Sequence, residues 1–304
     1  MSPAETKSKG HPMSSLLTNT SAMTALAALT MTQSNLSKVQ NEISTGLRIS
    51  TAADNASYWS IATKMRSNIG ALGAVNDALA ESGSIVSTMT NALNQSISVV
   101  QGIQKNLVTA SSADADKAKI QTAIATAQQS LISIGASSIV NGQNYLETTG
   151  GTVNLVASYD STNGVSFLTV DTSNTALFDA TTGATSGILG ANGANYATAS
   201  ILTLDVTTAT SGDIANMLKD VEAAISSMTT AASELGATTT NLATQQTYIS
   251  NLSDSLTTGV GSLVDANMNE AATKLAALQV QQQLGIQALS ISNSNSQLIL
   301  KLFQ

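Results

Sequence analysis

Two stretches of this chain combine helical apolar spacing with a complete lack of ions. Met13–Ser37 runs 25 residues without an Asp, Glu, Lys or Arg, and 13 of them are Ser, Thr, Asn or Gln. Leu275–Leu300 runs 26 in the same way, 12 of them Gln, Asn or Ser. Ala22, Ala25, Leu29, Thr32, Leu36, Val39 and Ile43 recur at steps of three and four, which predicts a helix over 16–45 stopped by Gly46. An uncharged helix sits in lipid or inside protein. These two are too polar for lipid, where a span needs about 20 predominantly apolar residues. They read as ends buried when many copies pack together.

Between them lie two long heptad seams. The first is Leu72, Val75, Leu79, Ser82, Val86, Met89, Leu93, Ser96, Val100, Ile103 and Leu107, nine of eleven apolar, spanning about 54 Å of helix. The second runs Ile214, Met217, Val221, Ala224, Met228, Ala231, Leu235, Thr238, Leu242, Gln245, Ile249, Leu252, Leu256, Gly259 and Leu263. Thr210-x-x-Asp213 has the spacing of a capping box at its start. After Leu263 the phase breaks, because continuing it would place Glu270 in the seam. Val264, Met268, Ala271, Leu275, Leu278, Gln282, Gly285 and Leu289 form a new register, so Asp265-Ala266-Asn267 reads as a joint. A shorter helix with Ile120, Ile124, Ala127, Leu131 and Ile134 follows the capping spacing Ser111-x-x-Asp114 and ends at Gly135.

From about 138 to 210 the texture turns to β. Val153–Tyr159, Val165–Val170 and Ile201–Val206 are strand-like runs, and Asn141-Gly142 and Asn163-Gly164 are hairpin signals. The plan is mirror-like: uncharged helix, connector, heptad helix, β insert, heptad helix, joint, uncharged helix. The fold class is mainly α, a long antiparallel heptad-helix rod with paired terminal helices and a small β-rich insert. Residues 1–12 hold both prolines and read as a disordered tail or extended start.

Composition narrows the function. Charged residues are 10% of the 304, against roughly 25% in ordinary soluble domains, and aromatics are 3%. A net charge of −7 without a Lys/Arg cluster argues against nucleic acid and anionic membranes. With no Cys and one His, at position 11, thiolate chemistry and zinc ligation have almost nothing to work with. The first dozen residues are polar, and the Ala-Leu run at 25–29 is too short for a signal-peptide core. The glycines 183, 187, 190 and 193 lack the Gly-Lys-Ser/Thr of a phosphate loop. Asp114 and Asp116 fit a helix N-terminus, and Asp265 and Glu270 fit local capping better than a hard-cation site. Met89, Met217, Met228 and Met268 read as core fillers, and Tyr58 and Trp59 as packed into the junction of connector and rod. No cofactor is expected.

Ser44-Thr45-Gly46-Leu47-Arg48-Ile49-Ser50 followed by Ala52-Ala53-Asp54-Asn55-Ala56 resembles bacterial flagellin. Asn141-Gly142-Gln143-Asn144, Asp265-Ala266-Asn267-Met268 and the last thirty residues are similar to the family's third-helix hairpin, C-terminal spoke and C-terminal signature. The wording near Tyr58-Trp59 and the Gln-rich C-terminus are closest to rhizobial-like flagellins. The resemblance covers 13–146 and 213–304.

It implies a non-enzymatic filament subunit exported by the flagellar type III apparatus, or, as an alternative, a hook–filament junction protein. It implies inner-core helices at 13–46 and 265–304, rod halves at 47–146 and 211–264, and an outer insert at 147–210. Leu26, Leu29, Leu36, Val39, Ile43, Leu275, Leu278, Leu284, Leu289, Leu298 and Leu302 would form the inner-core interface. Gly46, Arg48, Asp54, Asp265 and Asn267 would form the joint. The rod seam would hold Leu79, Val86, Met89, Leu93, Val100, Leu107, Val221, Met228, Leu235, Leu242, Ile249 and Leu256. Implied partners are further copies or sister flagellins, a filament cap, hook-junction proteins and an export chaperone. Weak innate-receptor recognition is expected. Val100–Asn106 lacks both Arg and the Glu of the family's vertebrate-sensed segment, and Ala53, Asn55 and Ser57–Ser60 alter the plant-sensed one.

Overall fold

A computed structural model describes residues 19–148, 151–160, 163–179 and 186–302, with the side chains of 295–302 outside the description. The predicted tail 1–12, the first turns before Asn19 and Gly183 lie outside the described residues. The long elements are α1 (Thr20–Thr45), α2 (Ala56–Ala110), α3 (Lys117–Ser137), α5 (Ser211–Val264) and α6 (Met268–Leu302). Between α3 and α5 come β1 (Ile139–Val140), β2 (Gln143–Asn144), β3 (Thr152–Asp160), β4 (Gly164–Asp171) and the short α4 (Gly187–Gly190). The chain is mainly helical, and the sheets among the described residues are two antiparallel pairs, β1 with β2 and β3 with β4. It forms two compact units: Ser67–Leu256, and the segments up to Arg66 and from Thr257 together.

The unit Ser67–Leu256 is built on the heptads. All eleven seam positions of α2 from Leu72 to Leu107 are buried, and so are Ile214, Met217, Val221, Ala224, Met228, Ala231, Leu235, Leu242 and Ile249 of α5. Leu252 and Leu256 are half-buried. These side chains join Ile124 and Leu131 of α3 in one hydrophobic core. At the head of α5, Thr210 N and Oγ1 donate to Asp213 at 2.8 and 2.7 Å, and Asp213 N returns a bond to Thr210 Oγ1 at 3.2 Å. The predicted capping box is therefore present.

Asn141 (φ 50°) and Gly142 (φ 78°) make the tight turn of the first hairpin. The second pairs Val153 with Val170 and Leu155 with Leu168, with a register shift between Val156 and Ser158. The insert is not a free appendage of strands. Leu177, Phe178, Leu189, Leu204 and Val206 are all but fully buried in the same core as the heptad helices.

Three expectations need correction. Ile201–Val206 is not a strand: 201–203 form a 3-10 turn, and the backbone is satisfied by side chains of α3. Gln128 Nε2 donates to Ile201 O and Leu204 O, both at 3.1 Å. Gln121 donates to Leu204 O and accepts from Val206 N, and Lys117 Nζ donates to Ala209 O. Ser111 does not cap α3; Asp116 does, its side chain accepting from Lys119 N. Gly135 does not end that helix, which runs on to Ser137. Gly135 is there for space, since a Cβ would stand 2.4 Å from the ring of buried Phe178.

Asp220 on α5 is buried, with no cation paired to it among the described residues. Burial pushes its carboxyl up, but donation from the Asn195 side chain and from the Asn195 and Tyr196 backbones outweighs this and holds it below the ordinary 3.8. The depressed value means that the folded state gains stability above the unfolded pKa and loses it as pH falls through the folded one.

Gly102 on α2 has open space where a Cβ would go, so Gly102→Ala should stabilise by about 1 kcal/mol in urea unfolding. Gly135→Ala should reverse the sign and cost about 1–3 kcal/mol. Asp220→Asn should cost about 2 kcal/mol at pH 7, and its gap from wild type should close as pH drops below the ordinary carboxylate range.

Candidate assembly interface

Gly46 ends α1 in the left-handed region (φ 71°), its N–H donating to Glu42 O. This is the conformation in which glycine is favoured. The turned chain then lies against the end of α5. Arg48 N and Ile49 N donate to Val264 O at 2.7 and 3.2 Å, Arg48 Nη2 donates to Leu263 O, and Ala266 N donates to Gly46 O. Leu47 and Asp265 face each other as a single antiparallel bridge. Behind it, Asp54 Oδ2 accepts from the amides and hydroxyls of Thr51 and Ser50, which hold its carboxyl below the usual range. Asn55 caps α2 and Asn267 caps α6 through their side-chain oxygens. The predicted joint residues thus divide the work: Gly46, Arg48 and Asp265 join the two segments, while Asp54 and Asn267 order the turns beside them.

At the start of α6, Glu270 pairs with Lys274 at 2.7 Å. The ammonium holds the carboxyl below its ordinary value, with a smaller contribution from Arg48, and is itself raised. Both side chains are over half exposed, so the pair adds little stability. No group of three or more His, Cys, Asp or Glu among the described residues could hold a metal ion.

Helices α1 and α6 pair antiparallel. Asn19 Nδ2 donates to Ser292 O, Gln282 Nε2 donates to Gln33 Oε1 at 2.6 Å, and a Cβ on Gly285 would stand 3.2 Å from Leu29 Cδ1. Asn19 also caps α1 by accepting from Ala22 N. An Asn before an apolar-periodic run signals that cap, whereas the tie to Ser292 carries no local sign in the sequence.

The pair has a small inner seam. Leu36, Val39 and Ala271 are buried, and Leu29, Ile43, Leu275, Leu278 and Leu289 are half-buried. Leu298 and Leu302 have side chains outside the described residues. Leu26 and Leu284, expected in the same interface, face outward at 53% and 57% exposure. Met268, expected as a core filler, is also exposed, as are Tyr58 and Trp59. Among the described residues seventeen large apolar side chains are exposed, and eleven belong to this unit. They are Met23, Leu26 and Met31 on α1, Tyr58, Trp59 and Ile61 on α2, and Met268, Val280, Leu284, Ile286 and Ile291 on α6. No described helix is long and apolar enough to cross a membrane.

Comparison with known proteins decides the family. Residues 16–150 match the bacterial flagellin N-terminal helical region and residues 218–303 the C-terminal helical region. The chain belongs to the bacterial flagellin family. Similar relatives include Flagellin C of Rhizobium meliloti (strain 1021), 40% identical, and the Flagellin of Brucella melitensis biotype 1, 43% identical. Each match covers 96% of this chain and 100% of the relative. As a flagellin it is a structural subunit of the extracellular flagellar filament and polymerises with further copies.

Inside the flagellin monomer, Leu36→Ala should weaken the α1–α6 pair by about 2–3 kcal/mol, whereas exposed Leu26→Ala should stay within about 0.5 kcal/mol. Hydrogen exchange of the α1 amides separates the two.

Proposed function

We propose that α1 and α6 form the inner core of the filament, with residues 13–46 and 265–304 packed against the same segments of neighbouring copies. The observation that carries this is the set of outward apolar side chains on a helix pair whose inner stripe is made by other residues. Leu26 and Leu284 are then contacts between subunits, while Leu36, Val39 and Leu278 hold each subunit's own pair together. Residues 47–146 and 211–264 serve as the rod, and 147–210, anchored in the core by Leu177, Phe178 and Leu204, turns its remaining surface to solvent.

The subunit works by assembly and needs neither catalysis nor a cofactor. Its other partners are those of an exported filament protein: a chaperone that covers the terminal helices, hook-junction proteins at the base and a cap at the growing end. Full-length likeness to flagellins favours the filament over the hook–filament junction. Weak innate recognition fits 100–106, where Val100 and Ile103 are buried and Gln101, Gly102 and Lys105 are the exposed residues.

Leu284→Glu should leave monomer helicity and the α1–α6 pair intact and abolish seeded growth of filaments from heat-dissociated protein. Circular dichroism and electron microscopy read the two halves of this outcome. Normal filaments from Leu284→Glu would sink the inner-core assignment.

A further inference from the structure

The methionines of this chain are unevenly placed. Met89, Met217 and Met228 are 3% exposed or less in the core of Ser67–Leu256, while Met23 and Met31 on α1 are 63% and 66% exposed. Met23, Leu26, Ala27, Thr30, Met31 and Ser34 line one open apolar hollow along that helix. At about 100° per residue this stripe lies on the far side of α1 from Leu29 and Leu36 of the inner seam. Each end of the stripe is therefore a water-accessible thioether, and a change at either sulfur leaves the α1–α6 seam alone.

We propose that Met23 and Met31 are sites at which peroxide oxidation of the free subunit switches its assembly off. This rests on the inner-core reading of α1. The sulfur lone pair attacks one oxygen of the hydroperoxide and the O–O bond breaks. The departing oxygen takes the proton left on the new S–OH and leaves as water or alcohol. The sulfur has then given up two electrons and is a sulfoxide. The chain has no Cys, so no thiol competes for the oxidant. The product is a polar acceptor in place of an apolar side chain. Thr30, between the two methionines, already gives its hydroxyl proton to Leu26 O at 2.9 Å. A neighbour seated on the stripe would have to desolvate two sulfoxide oxygens where it now meets two thioethers.

Full-length protein dissociated by heat is treated with hydrogen peroxide, quenched with free methionine and placed on sheared filament seeds. Peptide mass spectrometry should find one added oxygen at Met23 and at Met31 about tenfold sooner, or more, than at the buried Met89, Met217 and Met228. Circular dichroism should not change, and the critical concentration for growth should rise roughly tenfold or more. Met23→Leu/Met31→Leu keeps the stripe apolar and retains exposed Met268, and its critical concentration should move less than about twofold on the same treatment. A partly oxidised wild-type sample gives the same answer without substitution. Subunits that join the filament should carry several-fold less oxygen at Met23 and Met31 than those left in solution. Equal oxygen in both fractions, or a peroxide block that persists in the double variant, overturns the inference while the inner-core reading stands. Met23 and Met31 oxidising as fast in intact filaments as in monomer would show α1 uncovered there, which overturns that reading and this inference with it.

Discussion

A helix in a two-helix pair can hide only the stripe it turns toward its mate. In α1 and α6 that stripe is narrow: Leu36, Val39 and Ala271 at its centre, with Leu29, Leu275, Leu278 and Leu289 half-covered along it. The apolar side chains on the other faces exceed what the pair can bury. In α6 they are also free of ions from Leu275 to Leu300, the Glu270–Lys274 pair being the last before the uncharged run. A repeated contact between identical copies would bury the same ion at every subunit, each time without a mate. Ser, Thr, Asn and Gln give solubility without that cost, since their hydrogen bonds can be met by water or by a neighbour. The joint follows from the same need. The turn at Gly46 and the backbone bonds from Arg48 and Ile49 to Val264 bring the two termini side by side, which puts both uncharged helices in one unit.

The unit Ser67–Leu256 obeys a different rule. Its seams close within the subunit, so it can afford polar groups fixed by particular partners. Asp220 is held by amides from the 195–196 loop, and α3 uses Lys117, Gln121 and Gln128 to bind the backbone of 201–209. Each of these bonds pins loop to helix. The insert is thereby tied into the helical core at several points, with Phe178 fitted against Gly135 as another.

Legibility in the sequence followed the number of neighbours that a feature required. The eleven α2 positions could be read because a heptad states its own burial, and Gly46, Asn141-Gly142 and Thr210-x-x-Asp213 because the geometry is local. Ile201–Val206 could not, because its apolar run is satisfied by glutamine side chains some 75 residues earlier on α3 and not by a strand. Ser111 and Asp116 both lie near the start of α3 with capping chemistry, and spacing alone chose the wrong one. Gly135 carries the usual sign of a helix end, yet its reason is a ring from residue 178.

The apolar residues of α1 and α6 were legible as a set but not as two faces. In α6 apolar positions fall on more than one face, so periodicity could not say that Leu278 turns toward α1 while Leu284 turns away. A soluble amphipathic helix has one apolar stripe and announces its inside; a helix that meets partners on several sides has no outside to announce. Tyr58 and Trp59 show the same limit, for aromatic residues near a joint read as joint packing, yet both side chains are exposed. What separates the two surfaces is the single chain's own packing. Whatever the isolated subunit has already closed cannot be the contact that adds the next copy, so under the proposed inner-core reading the residues left open on α1 and α6 are the ones available to a neighbour.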